Sequence, residues 1–171
     1  MTGAAIIHRI HAFETRAATA IEARVLEIEA GSPVISLRRV RSVAHVPLAI
    51  DDRVMSIEMA ARLNFNIDTA TESIIDLVQR KLTLSKASWE LTARLAGERD
   101  AILLQIAPTD PILIRSLVYF EMDKTPILTG ETRHRSDMLR CGFEMDLTSS
   151  SLDSSVQSWT NEAFLAVPPP D

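Results

Sequence analysis

Three arginines lie close together in residues 36–53, where the sequence reads SLRRVRSVAHVPLAIDDR. Because the side chains of a strand alternate between its two faces, Arg39 and Arg41 are predicted to share one face, with Arg38 on the other. A buried guanidinium needs an opposing charge and hydrogen-bond acceptors, since its removal from water is costly. The pattern therefore predicts either a solvated strand end or an anion that meets Arg39 and Arg41.

A second polar strand follows in residues 125–140, TPILTGETRHRSDMLR, where Glu131, Arg133 and Arg135 alternate onto one face. If two halves of the chain pack as a pseudo-duplicated sheet, Glu131 is expected to converge with Arg39 and Arg41 at one end of a shared cleft. Guanidinium groups suit carboxylate or phosphate, and a carboxylate accepts hydrogen bonds from hydroxyl or amine groups. These side chains are therefore candidates for binding a small polar anion. The alternative is an ordinary ion pair between Glu131 and one of the arginines.

Other chemically competent residues give weaker signals. His134, which is predicted to share a face with Thr132, is a candidate ligand contact or pH-sensitive group, or else a partly exposed strand residue. Asp51 and Asp52 are adjacent and so lie on opposite faces, which makes them a poor catalytic dyad. The sequence has no metal-ligand spacing, no glycine-rich phosphate loop and no recognisable nucleophile motif, and Cys141 lacks an evident activating base. We therefore predict no catalytic residue, no metal and no cofactor.

Composition limits the class of protein. The chain has 171 residues, 46% of them hydrophobic and 24% charged, which suits one globular domain. Its formal net charge is −5 and it has no block of basic residues, so by itself it is a poor candidate for DNA binding. Its apolar runs are far shorter than the about 20 residues of a membrane span, and no signal peptide opens it. A cytoplasmic location is the default expectation.

An internal near-repeat organises the chain. Residues 26–37 and 103–117 share apolar residues and a proline at matching positions, and each is followed by a second proline-led strand. Each half reads as strand, helix, strand, strand, with antiparallel pairing expected across the short loops. The fold class predicted is α+β, with a six-stranded, mainly antiparallel sheet, helices packed against it and pseudo-duplicated halves. In the first half, the first strand is predicted at residues 6–14 and the helix at 16–26. In the second half, they are predicted at residues 84–93 and 98–106. A helical segment at residues 56–81, with Thr71 as an N-cap, is predicted to join the halves.

After Phe143 the pattern changes. The segment TSSSLDSS is typical of a polar linker, and Val156 to Leu165 could form a short helix. We therefore divide the chain into a domain at residues 1–147 and a tail at 148–171, to which no function is assigned.

The order of these features resembles the UTRA domain, the ligand-sensing half of GntR-type bacterial regulators of the HutC subfamily, which shares its fold with chorismate pyruvate-lyase. The resemblance rests on AATAIEARVLEIEAGSPV, LRRVRSV with PLAIDDR, LTARLAGERDAILLQIAPTDPIL and TPILTGETRHRSDMLR. It implies a chorismate lyase-like fold, a homodimer and a small anionic metabolite as effector. It also implies effector contacts at Arg39, Arg41 and Glu131, and His134 stands where the family often has an aromatic residue.

The resemblance leaves alternatives open. Such regulators carry a winged helix-turn-helix before this domain, and no segment of this chain matches one, so the chain is either an excised sensor domain or a freestanding relative. DNA would then be bound only through a domain absent from this chain. A chorismate pyruvate-lyase-like enzyme is the alternative function, with the arginines on substrate carboxylates and Glu131 in proton transfer. A bare dimerisation module is a third possibility.

Overall fold

Six antiparallel strands form one sheet within residues 5–142, the part of the chain that the computed structural model describes. Four α-helices accompany them, and short 3₁₀ turns lie at Thr69–Thr71 and Ser136–Met138. The α+β class predicted from the sequence is confirmed. In chain order the elements are β1 (Ile6–Ala17), α1 (Ala20–Leu26), β2 (Pro33–Val43), β3 (Val46–Ser56), α2 (Ile57–Leu63), α3 (Ile74–Gln79), β4 (Leu84–Leu95), α4 (Gly97–Leu104), β5 (Pro111–Glu121) and β6 (Pro126–Arg135).

The sheet joins two similar halves. Its strand order is β1-β2-β3-β6-β5-β4, so each half contributes three neighbouring strands and the halves meet where β3 pairs with β6. Each half also runs strand, helix, strand, strand, as the near-repeat predicts. The last strand of each half is therefore central, and a residue there can contact side chains from both halves.

Local signals set the ends of the helices, and two differ from expectation. A capping box between Thr19 and Glu22 starts α1 at Ala20, because the preceding residues extend β1 as far as Ala17, which lies opposite Pro33. Helix α3 starts after Ser73, whose hydroxyl accepts from the amide of Asp76. The predicted helix start at Arg16 and the predicted N-cap at Thr71 are therefore wrong.

Helices cover parts of both sheet faces. Helices α2 and α3 pack on one, the α2/α3 face, where the buried core includes Leu37, Met55, Leu63, Leu117 and Leu128. Helices α1 and α4 pack on the other, the α1/α4 face, over separate small apolar clusters. Burial of apolar surface, at about 25 cal/mol per Å², stabilises the packing of the helices on both faces. Polar side chains of the central strands lie beside these apolar ones.

Two expectations concern residues that are not described. The boundary at residue 147 and the short helix at residues 156–165 both lie outside residues 5–142. Within those residues, no helix is long and apolar enough to cross a membrane.

Candidate functional site

A group of polar side chains lies on the α2/α3 face across the four central strands. We call it the arginine cluster, and its members are Arg39 and Arg41 of β2, Asp51 and Arg53 of β3, Arg115 of β5, and Thr132 and His134 of β6. Strand register brings them together: Asp51 lies opposite Arg39 on one side and Thr132 on the other, and Thr132 lies opposite Arg115. The cluster therefore draws on both halves of the sheet.

Asp51 is the carboxylate at the centre of the cluster. It is 2% exposed, and its oxygens lie 3.4 Å from Nε of Arg39, 3.0 Å from Nη2 of Arg41 and 3.2 Å from Nη2 of Arg53. It also accepts a hydrogen bond from the hydroxyl of Thr132 at 3.0 Å. Burial alone would raise the pKa of Asp51, but the three guanidiniums outweigh it and hold that pKa well below its usual range. Asp51 is therefore an anion that organises three cations.

Arg39 and Arg53 each donate several hydrogen bonds to groups of the protein. Nη1 of Arg39 donates to the carbonyls of Ala70 and Glu72, each at 2.6 Å, which fastens the 3₁₀ turn between α2 and α3 to the sheet. Nη1 of Arg53 donates to the carbonyls of Asp52 at 2.7 Å and Glu131 at 2.8 Å, and its Nη2 donates to the hydroxyl of Thr132. Burial lowers the pKa of Arg39 to about 10, so it stays charged at neutral pH. Both side chains hold the cluster in place.

Arg41 and Arg115 retain donor capacity. Arg41 is bound to Asp51 through Nη2 alone, and its side chain is 18% exposed. Arg115 is half-buried, and its guanidinium lies 4.9 Å from the centre of the Trp89 ring. Among residues 5–142, Nε of Arg41 and Nε of Arg115 are buried without a hydrogen-bond acceptor. A buried polar group of this kind is uncommon and needs an explanation.

Two histidines border these arginines. His134 is 3% exposed, and burial, followed by the charges of Arg41 and Arg115, lowers its pKa to about 3. His8 lies opposite Arg41 on β1, and Nδ1 of its ring is 2.8 Å from the carbonyl of Thr71. Burial and then the charge of Arg39 lower the pKa of His8. Neither imidazole therefore adds positive charge to the cluster at neutral pH, and both can serve as neutral hydrogen-bonding groups.

Glu131 does not join the cluster, so the expected convergence with Arg39 and Arg41 is wrong. It lies opposite Asp52 and Ser116 on the α1/α4 face, whereas the two arginines point to the α2/α3 face. Asp52 on that opposite face forms ion pairs with Arg38 and Arg133. Glu131 is exposed and lines an open groove of about 700 Å³ with side chains of all six strands. The carboxylate that meets the arginines is Asp51.

The sequence prediction missed Asp51, Arg53 and Arg115 as members of this site. A readable signal existed for Arg115, since it is the single charged residue in the apolar run PILIRSLVY. For Asp51 the sequence indicates only that it makes a poor catalytic pair with Asp52. The alternation of β2 and β3 was correctly predicted, as was the placement of Thr132 and His134 on one face.

The cluster offers cations rather than metal ligands. Within the described part of the chain, no group of three or more histidine, cysteine or acidic side chains could hold a metal ion. Its chemistry is that of forked, permanently charged donors beside neutral imidazoles, an arrangement suited to an anion.

Comparison with known proteins gives a family match and a set of similar structures. The family model for the UTRA domain matches residues 2–140. A comparison with curated proteins finds no match. PhnF from Mycobacterium smegmatis has a crystal structure with a TM-score of 0.76 and 19% identity; the alignment covers 84% of this chain and 64% of the PhnF chain. Its effector domain alone aligns over 88% of that domain and 83% of this chain, also with a TM-score of 0.76.

Two further structures have the same fold. The C-terminal domain of the histidine utilization repressor from Pseudomonas syringae pv. tomato is 18% identical, with a TM-score of 0.74 over 83% of this chain and 99% of that domain. A GntR-family transcriptional regulator from Enterococcus faecalis is 16% identical, with a TM-score of 0.73 over 81% of this chain and 99% of that one. At these identities the similarity establishes the fold. The UTRA family match supports a regulatory ligand-binding role over an enzymatic one.

Proposed function

Because this chain belongs to the UTRA domain family, we propose that it is the effector-sensing domain of a GntR-type transcription regulator and binds a small anionic metabolite at Arg41 in the arginine cluster. The observation that carries the proposal is the charge balance of the cluster, whose members include four guanidiniums and one carboxylate; three of the guanidiniums contact that carboxylate, Asp51. Uncompensated positive charge in a half-buried site is stabilised by an anion from solution.

The members of the cluster divide into two roles in this proposal. Arg39, Arg53 and Asp51 are 4%, 6% and 2% exposed, and their hydrogen bonds are made within the protein, so they form the rigid base. Arg41 is more exposed and has an unused donor, so it is the contact for the effector. His134, beside it, is a neutral contact of the same effector. The role proposed for Arg39 is therefore structural, whereas the sequence predicts it as a ligand contact.

Regulation requires the effector to bind one arrangement of the full regulator better than another, since equal affinity for both shifts nothing. Coupling of this kind is typically about 1 to 3 kcal/mol. DNA contact is made through a separate winged-helix domain, and the sensor acts as a homodimer in a cytoplasmic regulator.

A lyase function, the alternative kept open from the sequence, has less support. It needs a carboxyl group that can exchange a proton beside the arginines. Glu131 lies on the opposite face, and Asp51 is held ionised by three guanidiniums. Incubation with chorismate should yield no 4-hydroxybenzoate or pyruvate, and product formation with repeated turnover would support the enzyme instead.

Thermal shifts with a panel of anionic metabolites test the proposed function. At about 100 times its Kd, a true effector should raise the Tm by roughly 5 to 10 °C. Arg41→Gln should fold, because Asp51 keeps Arg39, Arg53 and Thr132, but it should lose this shift. Arg99→Gln removes the same charge from an exposed site on α4 and should keep it. A rise in Tm in Arg41→Gln equal to that of the wild type, or no rise in the wild type with any anion, would contradict the proposed anion site at Arg41.

A further inference from the structure

Arg115 is the member of the arginine cluster whose charge the protein leaves unmet. It lies on β5 between Leu91 of β4 and Thr132 of β6. Among the residues described, its guanidinium makes no ion pair and donates no hydrogen bond, and its Nε is out of contact with solvent. Its guanidinium lies 4.9 Å from the centre of the Trp89 ring.

That contact does not offset the cost of burying the charge. A cation over a tryptophan ring gains less free energy than an ion loses when it is taken out of water. Burial accordingly lowers the pKa of Arg115. The nearby carboxylate of Asp51 is already shared by Arg39, Arg41 and Arg53. Among residues 5–142, Arg115 therefore has no carboxylate in an ion pair with it, and a further negative charge at this place would stabilise it.

We propose that Arg115 is the residue that selects the charge of the effector, so that the site prefers a doubly charged head group to a singly charged one. This inference rests on the proposed function, because it requires an anion at Arg41. A monoanion at Arg41 would leave Arg115 uncompensated, whereas a dianion meets both guanidiniums. Phosphomonoesters and phosphonates are head groups of this kind.

The geometry supports a single ligand that reaches both arginines. His134 faces Ala49, the residue opposite Arg41, and on its other side faces Leu113, two residues before Arg115. Arg41 and Arg115 both act on the His134 imidazole through their charges. His134 thus lies between the two guanidiniums and marks the place of the head group.

Sulfate and methyl sulfate test the inference, because they share a tetrahedral oxyanion and differ in charge. In a Trp159→Phe protein, Trp89 is the sole tryptophan, so its emission reports binding beside Arg115. Titrations at constant ionic strength should show a preference for sulfate on the order of tenfold. Arg115→Gln should bind both anions within about twofold of each other, Arg115→Lys should retain part of the preference, and Arg99→Gln should retain all of it.

The outcomes separate this inference from the function on which it rests. Equal affinities for the two anions in the Trp159→Phe protein, or an undiminished sulfate preference in both Arg115 variants, would overturn the role of Arg115 and leave the anion site at Arg41 intact. A Trp159→Phe protein that responds to neither anion would overturn both. If Arg115→Gln fails to give a folded circular dichroism spectrum, Arg115→Met replaces it, and an undiminished sulfate preference in that variant would overturn the role of Arg115.

Discussion

At the scale of single residues, the adjacent Asp51 and Asp52 show how one step along a strand changes the chemistry of a side chain. Asp51 points to the α2/α3 face and contacts three arginines, whereas Asp52 points to the α1/α4 face and pairs with Arg38 and Arg133. Each carboxylate thus neutralises arginines on one side of the sheet. Arg133 on the α1/α4 face has a second carboxylate nearby, that of Asp100, whereas Asp51 is shared by three arginines.

His134 gives the clearest pH-dependent prediction. The pKa of His134 is about 3 in the folded protein, whereas its ordinary value, which applies in the unfolded chain, is 6.5. Below pH 6.5 the unfolded chain therefore takes up a proton that the folded protein does not. Stability is therefore full above pH 6.5 and falls as the pH drops toward 3. At pH 5 this residue should account for a loss of about 2 kcal/mol. The free energy of unfolding, measured in urea at pH 7.5 and pH 5, should therefore fall by about 2 kcal/mol less in His134→Asn than in the wild type.

The control for His134 is His11→Asn, a change at an exposed histidine of β1. It should keep the wild-type difference between the two pH values. The same difference in His134→Asn as in the wild type would show that the imidazole is protonated in the folded protein near its ordinary pKa.

At the scale of elements, Gly130 of β6 is required by the close approach of β3. A Cβ there would lie 2.9 Å from the carbonyl carbon of Asp52 and closer still to its oxygen, which accepts a hydrogen bond from Arg53. Gly130→Ala should therefore push the two central strands apart and destabilise the protein by about 1 to 3 kcal/mol or more. The free energy of unfolding in urea measures this.

Gly142→Ala is the matched control, because a Cβ at Gly142 has open space around it. It should leave the free energy of unfolding within about 0.5 kcal/mol of the wild type. A Gly130→Ala protein as stable as this control would mean that β3 and β6 do not pair in the register described.

Strand register also explains which parts of the site were predictable. Alternation within a strand placed Arg39 and Arg41 together, and Thr132 and His134 together, because the period of two needs no partner. The phase of β6 relative to β3 depends on pairing between distant segments, and a slip of one residue moves every side chain to the other face. Glu131 was assigned to the wrong face for that reason. The ends of helices and strands differ by a few residues from the predicted ones, because helix capping and strand pairing decide where they lie.

At the scale of the whole molecule, the arginine cluster straddles the junction between the two halves. Arg41 and Asp51 belong to the first half, and Arg115 and His134 belong to the second. The near-repeat predicted the halves and their antiparallel strands, but residue types alone did not reveal that the polar side chains of one face meet at β3 and β6. An anion bound by Arg41 and Arg115 would stabilise the contact between the halves, which is a physical route from binding to a change in the domain.

Net charge gives a prediction for the chain as a whole. The chain has a formal net charge of −5, and several arginines of the central strands are paired with Asp51 and Asp52. We therefore expect little capacity to neutralise phosphates along a duplex. Proteins that bind DNA through phosphate contacts lose affinity steeply as salt rises. Fluorescence polarisation with a labelled duplex should show no saturable binding by this chain at 50 or 150 mM salt, with or without an anion that raises its Tm. Saturable binding that weakens with salt would contradict the separation of sensing from DNA contact.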